Sequence, residues 1–318
     1  MNTMKWLIKR ELWEHKGSLL WVPAIVAALL VLMVAAALML GHNVTFDGVN
    51  GPTTLNEVTI EGRMRVQIVQ GMAQMYMVAA LPLFLMLGFL VFFYCLGALH
   101  DERRDRSLLF WKSLPVSDAM TVLSKALLAL AVTPLATIAI AIALSVLVLL
   151  MAALSLLVHG TNLFGDLLTA PDFYLTPLRV VALLPVYMLW ALPTVGWLLL
   201  VSSWARSKVF LWAVGVPLLT GSLLIWFGKL LNLGGNNAWF MEHIVTRILL
   251  GVAPGSWFAF SDIHADTMID EATQRIATAD LFAASWATLG SLSLWLGVAA
   301  GLAMIAGAVW MRRWREEN

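Results

Sequence analysis

The sequence has few charged residues and almost no cysteine. Asp, Glu, Lys and Arg make up 12% of its 318 residues, about half of the roughly 25% usual in soluble proteins. A single cysteine, Cys95, excludes an intrachain disulfide and a cluster of thiolate metal ligands. Apolar residues account for 61% of the chain, and the mean hydropathy is +0.85. This composition predicts an integral membrane protein, and the net charge of +1 gives no indication of nucleic-acid binding.

The sequence also lacks the motifs of the common enzyme classes. A phosphate-binding loop needs Gly-x4-Gly-Lys-Ser/Thr, and the nearest approach, Gly228-Lys229-Leu230, has neither the spacing nor the hydroxyl. Glu242-His243 is not part of a zinc-protease His-Glu-x-x-His, and no Gly-x-Ser-x-Gly turn is present. We therefore expect a chain that is not itself an enzyme, with no catalytic residues, no metal site and no cofactor of its own.

Long apolar runs recur along the whole chain and predict one all-α polytopic membrane domain, 1–318. Since a membrane-spanning helix needs roughly 20 apolar residues, six spans are predicted, at 19–40, 75–99, 126–158, 180–204, 209–231 and 284–310. The third is about 50 Å long as a helix, so it must tilt, kink at Pro134 or extend beyond a hydrocarbon core about 30 Å thick. No ionisable residue lies in the middle of a predicted span, which disfavours a carrier driven by protons or sodium.

Basic residues are distributed unequally between the two sides of the predicted membrane. Fourteen Lys and Arg residues fall in the N-terminal segment, the second and fourth connections and the C-terminal tail, whereas five fall in the alternate connections. Because cytoplasmic segments retain an excess of Lys and Arg, both termini are predicted to be cytoplasmic.

The N-terminal segment, 1–18, has the pattern of an amphipathic helix. Met4, Leu7, Ile8 and Leu12 recur at helical spacing, and lysines occupy other faces. This pattern favours a helix that lies in the membrane interface. A cytoplasmic extension of the first span is the alternative.

The second connection, 100–125, contains a coupling region, 100–117, that combines a charged beginning with an apolar cluster around Phe110 and Trp111. Pro115 would end a short helix near Leu114, and Ser117 would cap the next helix. A short helix on a rigid turn with exposed aromatic residues is suited to insertion into a partner's groove. The alternative is an interfacial helix whose aromatic residues contact lipid.

This connection resembles the cytoplasmic coupling region of the type 2 ATP-binding-cassette (ABC) exporter permeases. In that family a Glu-Arg pair precedes a leucine-rich turn, a Ser-x-Pro-Val-Ser-like element and a lysine that opens the third span. The matching residues here are Glu102, Arg103, Leu108, Leu109, Ser113, Pro115, Val116, Ser117 and Lys125. Arg106-Ser107 stands where the family often has Gly-Thr. The six spans, the amphipathic N-terminal helix and a short outer helical segment before the last span extend the resemblance over nearly the whole chain.

The resemblance implies a permease subunit in the bacterial cytoplasmic (inner) membrane that moves a substrate outward. A separate ABC ATP-binding subunit, which holds ATP and Mg, would dock on the coupling region, and the permease would act as a homodimer or as a heterodimer with a related permease. The implied ATPase-coupling residues are Glu102, Arg103, Leu108, Leu109, Phe110, Trp111, Ser113, Pro115, Val116 and Ser117. The alternative function is an ATP-independent membrane transporter or channel.

Other features leave more than one interpretation open. Scattered hydroxyl groups are compatible with an amphiphilic substrate and equally with ordinary helix packing, and the substrate stays unidentified; the residues are Tyr76, Tyr94, Thr137, Tyr187, Thr194 and Thr220. The outer segment 239–253 is either half-inserted or flat on the surface. Gly297, Gly301 and Gly307 form a small-residue face that permits a close helix approach, with intrachain packing preferred.

Overall fold

The computed structural model describes residues 3–40, 46–48, 51–53, 63–104, 117–158, 160–231, 238–260, 269–270, 275–276 and 278–314. The α-helices are α1 Thr3–Glu14, α2 Val22–Met39, α3 Arg63–Met75, α4 Leu81–Gly97, α5 His100–Arg104, α6 Asp118–Leu127, α7 Thr133–Val158, α8 Phe164–Thr169, α9 Pro171–Ala182, α10 Leu184–Trp204, α11 Val216–Leu230, α12 Thr246–Leu250, α13 Trp257–Phe260, α14 Thr278–Ala287 and α15 Leu292–Trp314. Two short antiparallel hairpins pair β1 Phe46–Gly48 with β2 Gly51–Thr53, and β3 Ile269–Asp270 with β4 Arg275–Ile276.

Six helical stretches of the described residues are long and apolar enough to cross a membrane, as the sequence predicts. They are span 1 Gly17–Met39, span 2 Ile68–Arg104, span 3 Asp118–Val158, span 4 Pro171–Trp204, span 5 Leu211–Leu230 and span 6 Leu292–Trp314. The chain is therefore an all-α polytopic membrane protein. The bounds differ most from the predicted ones at the start of four spans. Spans 2, 3 and 4 begin at Ile68, Asp118 and Pro171, before the predicted residues 75, 126 and 180. Span 6 begins later, at Leu292, because the chain is extended at Ser291.

Prolines in four of the spans are each preceded by a turn of altered helical geometry. π-Helical turns at Gly17–Trp21, Leu128–Val132 and Leu211–Gly215 precede Pro23, Pro134 and Pro217, and a 3₁₀ turn at Tyr76–Ala80 precedes Pro82. A proline has no N–H to donate and its ring conflicts with the carbonyl four residues earlier. A change in helical pitch before it keeps the span helical. The long third helix consequently continues through Pro134.

Span 4 is the centre of the bundle. In its most apolar stretch 67% of the residues are buried, against 6% in span 1. It packs most closely on span 6, where a Cβ built on Gly196 would lie 2.6 Å from the carbonyl oxygen of Gly301. Leu200 lies beside Gly307, so the glycine face of span 6 is used for intrachain packing. This outcome is the preferred one of the two sequence-based alternatives.

Candidate functional site

Residues 105–116 of the second connection, called the connection below, are bounded by described residues at both ends. Glu102 and Arg103 lie on α5 just before it, and Ser117 follows it. The remaining predicted coupling residues lie outside the described residues: Leu108, Leu109, Phe110, Trp111, Ser113, Pro115 and Val116. The geometry of the site is therefore that of its two ends and of the helices that hold them.

Ser117 begins span 3 as an N-cap. Its backbone is extended, with φ −76° and ψ 150°, and its Oγ accepts a hydrogen bond of 3.3 Å from the Met120 amide. Such a cap satisfies one of the four amide groups that have no partner inside a helix. The N-cap predicted from the sequence is confirmed, and the connection has a defined exit into α6.

Glu102 is buried among cations that come from three other parts of the chain. Its Oε1 lies 3.0 Å from Lys125 Nζ, and its Oε2 accepts a hydrogen bond of 3.0 Å from Arg312. Arg10 approaches the same carboxylate at 3.6 Å. The side chain therefore ties the end of span 2 to α1, to the start of span 3 and to the end of span 6.

Glu11 occupies the same buried region from the N-terminal helix. Lys125 Nζ donates to Glu11 Oε1 at 2.6 Å, and the Tyr94 hydroxyl donates to it at 3.0 Å. Burial alone would raise the pKa of Glu11, but the hydrogen bond from His15 and the adjacent Lys125 ammonium outweigh burial and lower the pKa to about 2. Glu11 is therefore an anion at neutral pH.

Together these side chains form a network of three acids and three bases, which we name the ion cluster; its members are Arg10, Glu11, Glu102, Asp118, Lys125 and Arg312. Asp118 joins it through Arg312 Nε, which donates to the Asp118 carboxylate at 3.1 Å. Isolated buried charges are costly, whereas paired and hydrogen-bonded charges are retained. The ion cluster thus fixes four helical elements relative to one another on both sides of the connection.

Arg103, next to Glu102, contacts a different helix. Its guanidinium donates to the backbone carbonyls of Ser202 and Ala205 at the C-terminal end of span 4, the second at 3.0 Å. The Ser202 Oγ in turn accepts hydrogen bonds from the amides of Leu99 and His100. A cation at a helix C-terminus is favourable because the helix dipole is negative there. The Glu102-Arg103 pair therefore connects the entry of the connection to α1 and to spans 3, 4 and 6.

Sequence reasoning identified Glu102, Arg103 and Lys125 but missed Glu11, and it used Arg312 only to infer orientation. Glu11 follows Leu7 by four residues and Ile8 by three, so it lies on the apolar face of α1. A carboxylate on an apolar helix face is the signal that indicates a buried partner. Pairing with Lys125 itself depends on tertiary packing.

A second polar site lies in the segment 239–253, around Arg247 on α12. The buried guanidinium donates to the carbonyls of Ser293 and Leu294 at 2.7 and 3.3 Å. It also stacks over the ring of Trp190, 4.5 Å from the ring centroid. Because the Thr194 hydroxyl, well inside span 4, donates to the Arg247 carbonyl, this segment packs beside span 4 and does not only cover its end. This packing favours the half-inserted arrangement.

The scattered hydroxyl groups are mostly engaged within the protein. Tyr94 donates to Glu11 and Tyr187 to the Val252 carbonyl. Tyr76 and Thr194 donate to carbonyls of neighbouring segments, and Thr220 donates to its own helix. Ordinary helix packing accounts for these five. The buried Thr137 hydroxyl has no hydrogen-bond partner among the described residues.

The ion cluster contains no nucleophile next to a base, and no group of three or more His, Cys, Asp or Glu residues in the described part of the chain is arranged to hold a metal ion. The paired charges of the ion cluster hold helices together. No protein-family model, no characterised protein and no solved structure matches the chain.

Proposed function

We propose that this chain is the membrane-spanning permease subunit of an ATP-driven ABC exporter, with a separate ATP-binding subunit docked on residues 100–117. The observation that carries the proposal is the ion cluster at the base of that connection. Glu102 precedes the connection, Asp118 follows it, and both are paired with Arg312 of span 6. A displacement of the connection by a partner would reach spans 2, 3 and 6 together.

The proposal includes the arrangement that the resemblance implies. Both termini and the connection 105–116 face the cytoplasm, α1 lies in the interface, and two permeases of the same or related sequence form the pathway in a bacterial inner membrane. Energy then enters from ATP hydrolysis on the partner, which is in accord with the absence of a phosphate-binding loop from this sequence. The substrate moves outward, and an amphiphilic compound suits the apolar bundle.

Co-purification from the native host in mild detergent tests the proposal. A tagged chain is expected to retain a nucleotide-binding partner whose ATP hydrolysis is measurable. Phe110→Ala with Trp111→Ala should release that partner, because truncating aromatic anchors removes most of the energy of an interface. Pro115→Ala should alter substrate-stimulated ATP hydrolysis by letting the short helix continue.

A matched control uses another aromatic pair of the same composition. Trp226 and Phe227 are exposed near the end of span 5, which alternation of the spans places on the opposite side of the membrane. Trp226→Ala with Phe227→Ala should leave the partner bound. A chain that purifies alone with both pairs intact, or loses its partner equally in both double variants, would overturn the docking proposal.

One observation favours a second candidate function, an ATP-independent transporter or channel. Arg247 is a buried cation against the start of span 6, and buried ionisable groups in membrane bundles commonly belong to transport pathways. Transport by the purified chain alone, without ATP and lost in Arg247→Met, would support this candidate. Transport that requires the partner and ATP would exclude it.

A further inference from the structure

One short motif is repeated along α1 and the two residues that follow it, on the face that points away from the bundle. Trp6 is followed three residues later by Lys9, and Trp13 three residues later by Lys16. The two pairs are seven residues apart, close to two helical turns, so they lie above one another on one face. All four side chains are exposed.

Each pair is organised as a cation over an aromatic ring. Lys9 Nζ lies 5.5 Å from the centroid of the Trp6 ring, and Lys16 Nζ lies 5.2 Å from that of Trp13. These distances are within the range of a cation–π interaction. The indole holds the lysine ammonium beside an apolar surface. The N–H groups of the ammonium can then donate to an anionic acceptor.

The orientation of this face is fixed by the opposite side of the helix. Glu11 is buried in the ion cluster, and Ile8 and Leu12 pack against the main apolar core. α1 cannot turn about its axis without breaking the Glu11–Lys125 pair. Trp6 and Trp13, each 61% exposed, are therefore directed away from the protein by its own packing.

The position and the charge of the two Trp–Lys pairs indicate which ligand they bind. Lys16 immediately precedes span 1, which begins at Gly17, so the second pair lies at the level where a bilayer begins. Indole rings prefer the membrane interface, and lysines beside it attract anionic lipid. The carboxylates of α1 do not oppose this charge: Glu11 is buried, and Glu14 is paired with Arg10 at 3.6 Å.

We propose that the Trp6–Lys9 and Trp13–Lys16 pairs are two binding sites for anionic phospholipid headgroups of the adjoining leaflet. Each ammonium binds a headgroup phosphate, and each indole lies against the upper acyl chain. Because Glu11 is on the other side of the same helix, bound lipid also holds α1 against the ion cluster. This assignment rests on one part of the proposed function, the position of α1 in the membrane interface, and does not depend on the ATP-binding partner.

The test is the binding of phosphatidylglycerol to the purified full-length chain in nanodiscs of phosphatidylcholine that contain about one-third phosphatidylglycerol. Bound phosphatidylglycerol is counted by native mass spectrometry. One basic residue near an anionic surface contributes about fivefold in affinity. Lys9→Gln and Lys16→Gln should each weaken binding about fivefold, and the double variant about 25-fold. Trp6→Ala with Trp13→Ala should weaken it also, although every charge is retained.

The double variant Arg206→Gln with Lys208→Gln is the matched control. These exposed residues lie in the connection after span 4, on the same side as α1, and their loss removes the same charge. It should leave binding unchanged. If the Arg206/Lys208 double variant lost as much phosphatidylglycerol binding as the Lys9/Lys16 double variant, general surface charge would explain the effect and the two sites would be overturned. A loss of lipid binding in Lys16→Gln but not in Lys9→Gln would also overturn the proposal of two sites. Unchanged lipid binding in Lys9→Gln together with the loss of a protein partner would overturn it as well.

Discussion

Lys125 Nζ lies 2.6 Å from Glu11 Oε1, although the two residues are 114 positions apart in the sequence. The ion pair is almost fully buried, and the same ammonium lies 3.0 Å from Glu102. One lysine at the start of span 3 therefore forms ion pairs with a carboxylate of the N-terminal helix and with a carboxylate at the end of span 2. The position of α1 relative to the bundle depends on this shared cation.

Glu11→Gln should destabilise the protein by about 1–3 kcal/mol, because it removes one partner of a buried charge. The loss stays below the usual effect of breaking such a pair, since Lys125 keeps Glu102. Thermal unfolding in detergent measures the change. Glu14→Gln is the control: Glu14 is half exposed and pairs only at 3.6 Å with Arg10, so its loss should cost less than about 0.5 kcal/mol. Equal effects of the two substitutions would contradict the anchoring role of Glu11.

Acid should weaken the same contact in a defined pH window. The pKa of Glu11 falls from 4.5 to about 2 in the folded protein, so folding is stabilised by its ionised form. This contribution is complete above pH 4.5 and is lost as the pH falls toward 2. The difference in unfolding temperature between wild type and Glu11→Gln should therefore be constant at neutral pH and shrink through that range. A difference in unfolding temperature that grows on acidification would contradict the stabilising effect of ionised Glu11.

The sequence predicted the number of membrane helices because a helix surrounded by lipid must be apolar over its whole length. It also predicted the cap at Ser117, since an N-cap depends on residues that are neighbours in the chain. The beginning of span 6 was placed too early: three of the four residues 284–287 are apolar, but the helix that contains them ends at Ala287 and a second one begins at Leu292. Apolar composition alone does not distinguish two consecutive helices from one.

The candidate site was predictable only in part. Glu102 and Lys125 belong to the motif, but their partners Glu11 and Arg312 come from the two ends of the chain. Arg247 was counted as an ordinary outer basic residue. Its burial follows from Gly297, whose missing side chain leaves room for the guanidinium against span 6. Such complementarity between distant residues becomes visible only when the helices are packed.

Gly297→Ala should displace Arg247, because a methyl group at this position would overlap the guanidinium. Loss of the hydrogen bonds to Ser293 and Leu294, together with overpacking, should cost about 1–3 kcal/mol in thermal unfolding. The control is Gly290→Ala, where a Cβ would meet no atom within 4 Å. Adding Arg247→Ala to Gly297→Ala should cost less than the sum of the two single changes, because the overlap is then absent. Additive losses would indicate that the two residues do not interact.

Gly196→Ala should separate spans 4 and 6, since its methyl group would lie 2.6 Å from the backbone oxygen of Gly301. Backbone cannot move aside as a side chain does, and close approach of small residues is what holds membrane helices together. We expect a loss of about 2 kcal/mol or more in unfolding free energy. Gly307→Ala on span 6 is the matched control, because its nearest neighbour is the flexible Leu200 side chain at 3.3 Å.

Since span 6 also carries Arg312, separation at Gly196 should loosen the ion cluster. Labelling of Leu12→Cys, which replaces an apolar side chain packed against the core next to Glu11, is therefore expected to accelerate in Gly196→Ala but not in Gly307→Ala. The native Cys95 is buried and should not react in either variant. Equal labelling rates would show that the contact between spans 4 and 6 and the ion cluster are independent.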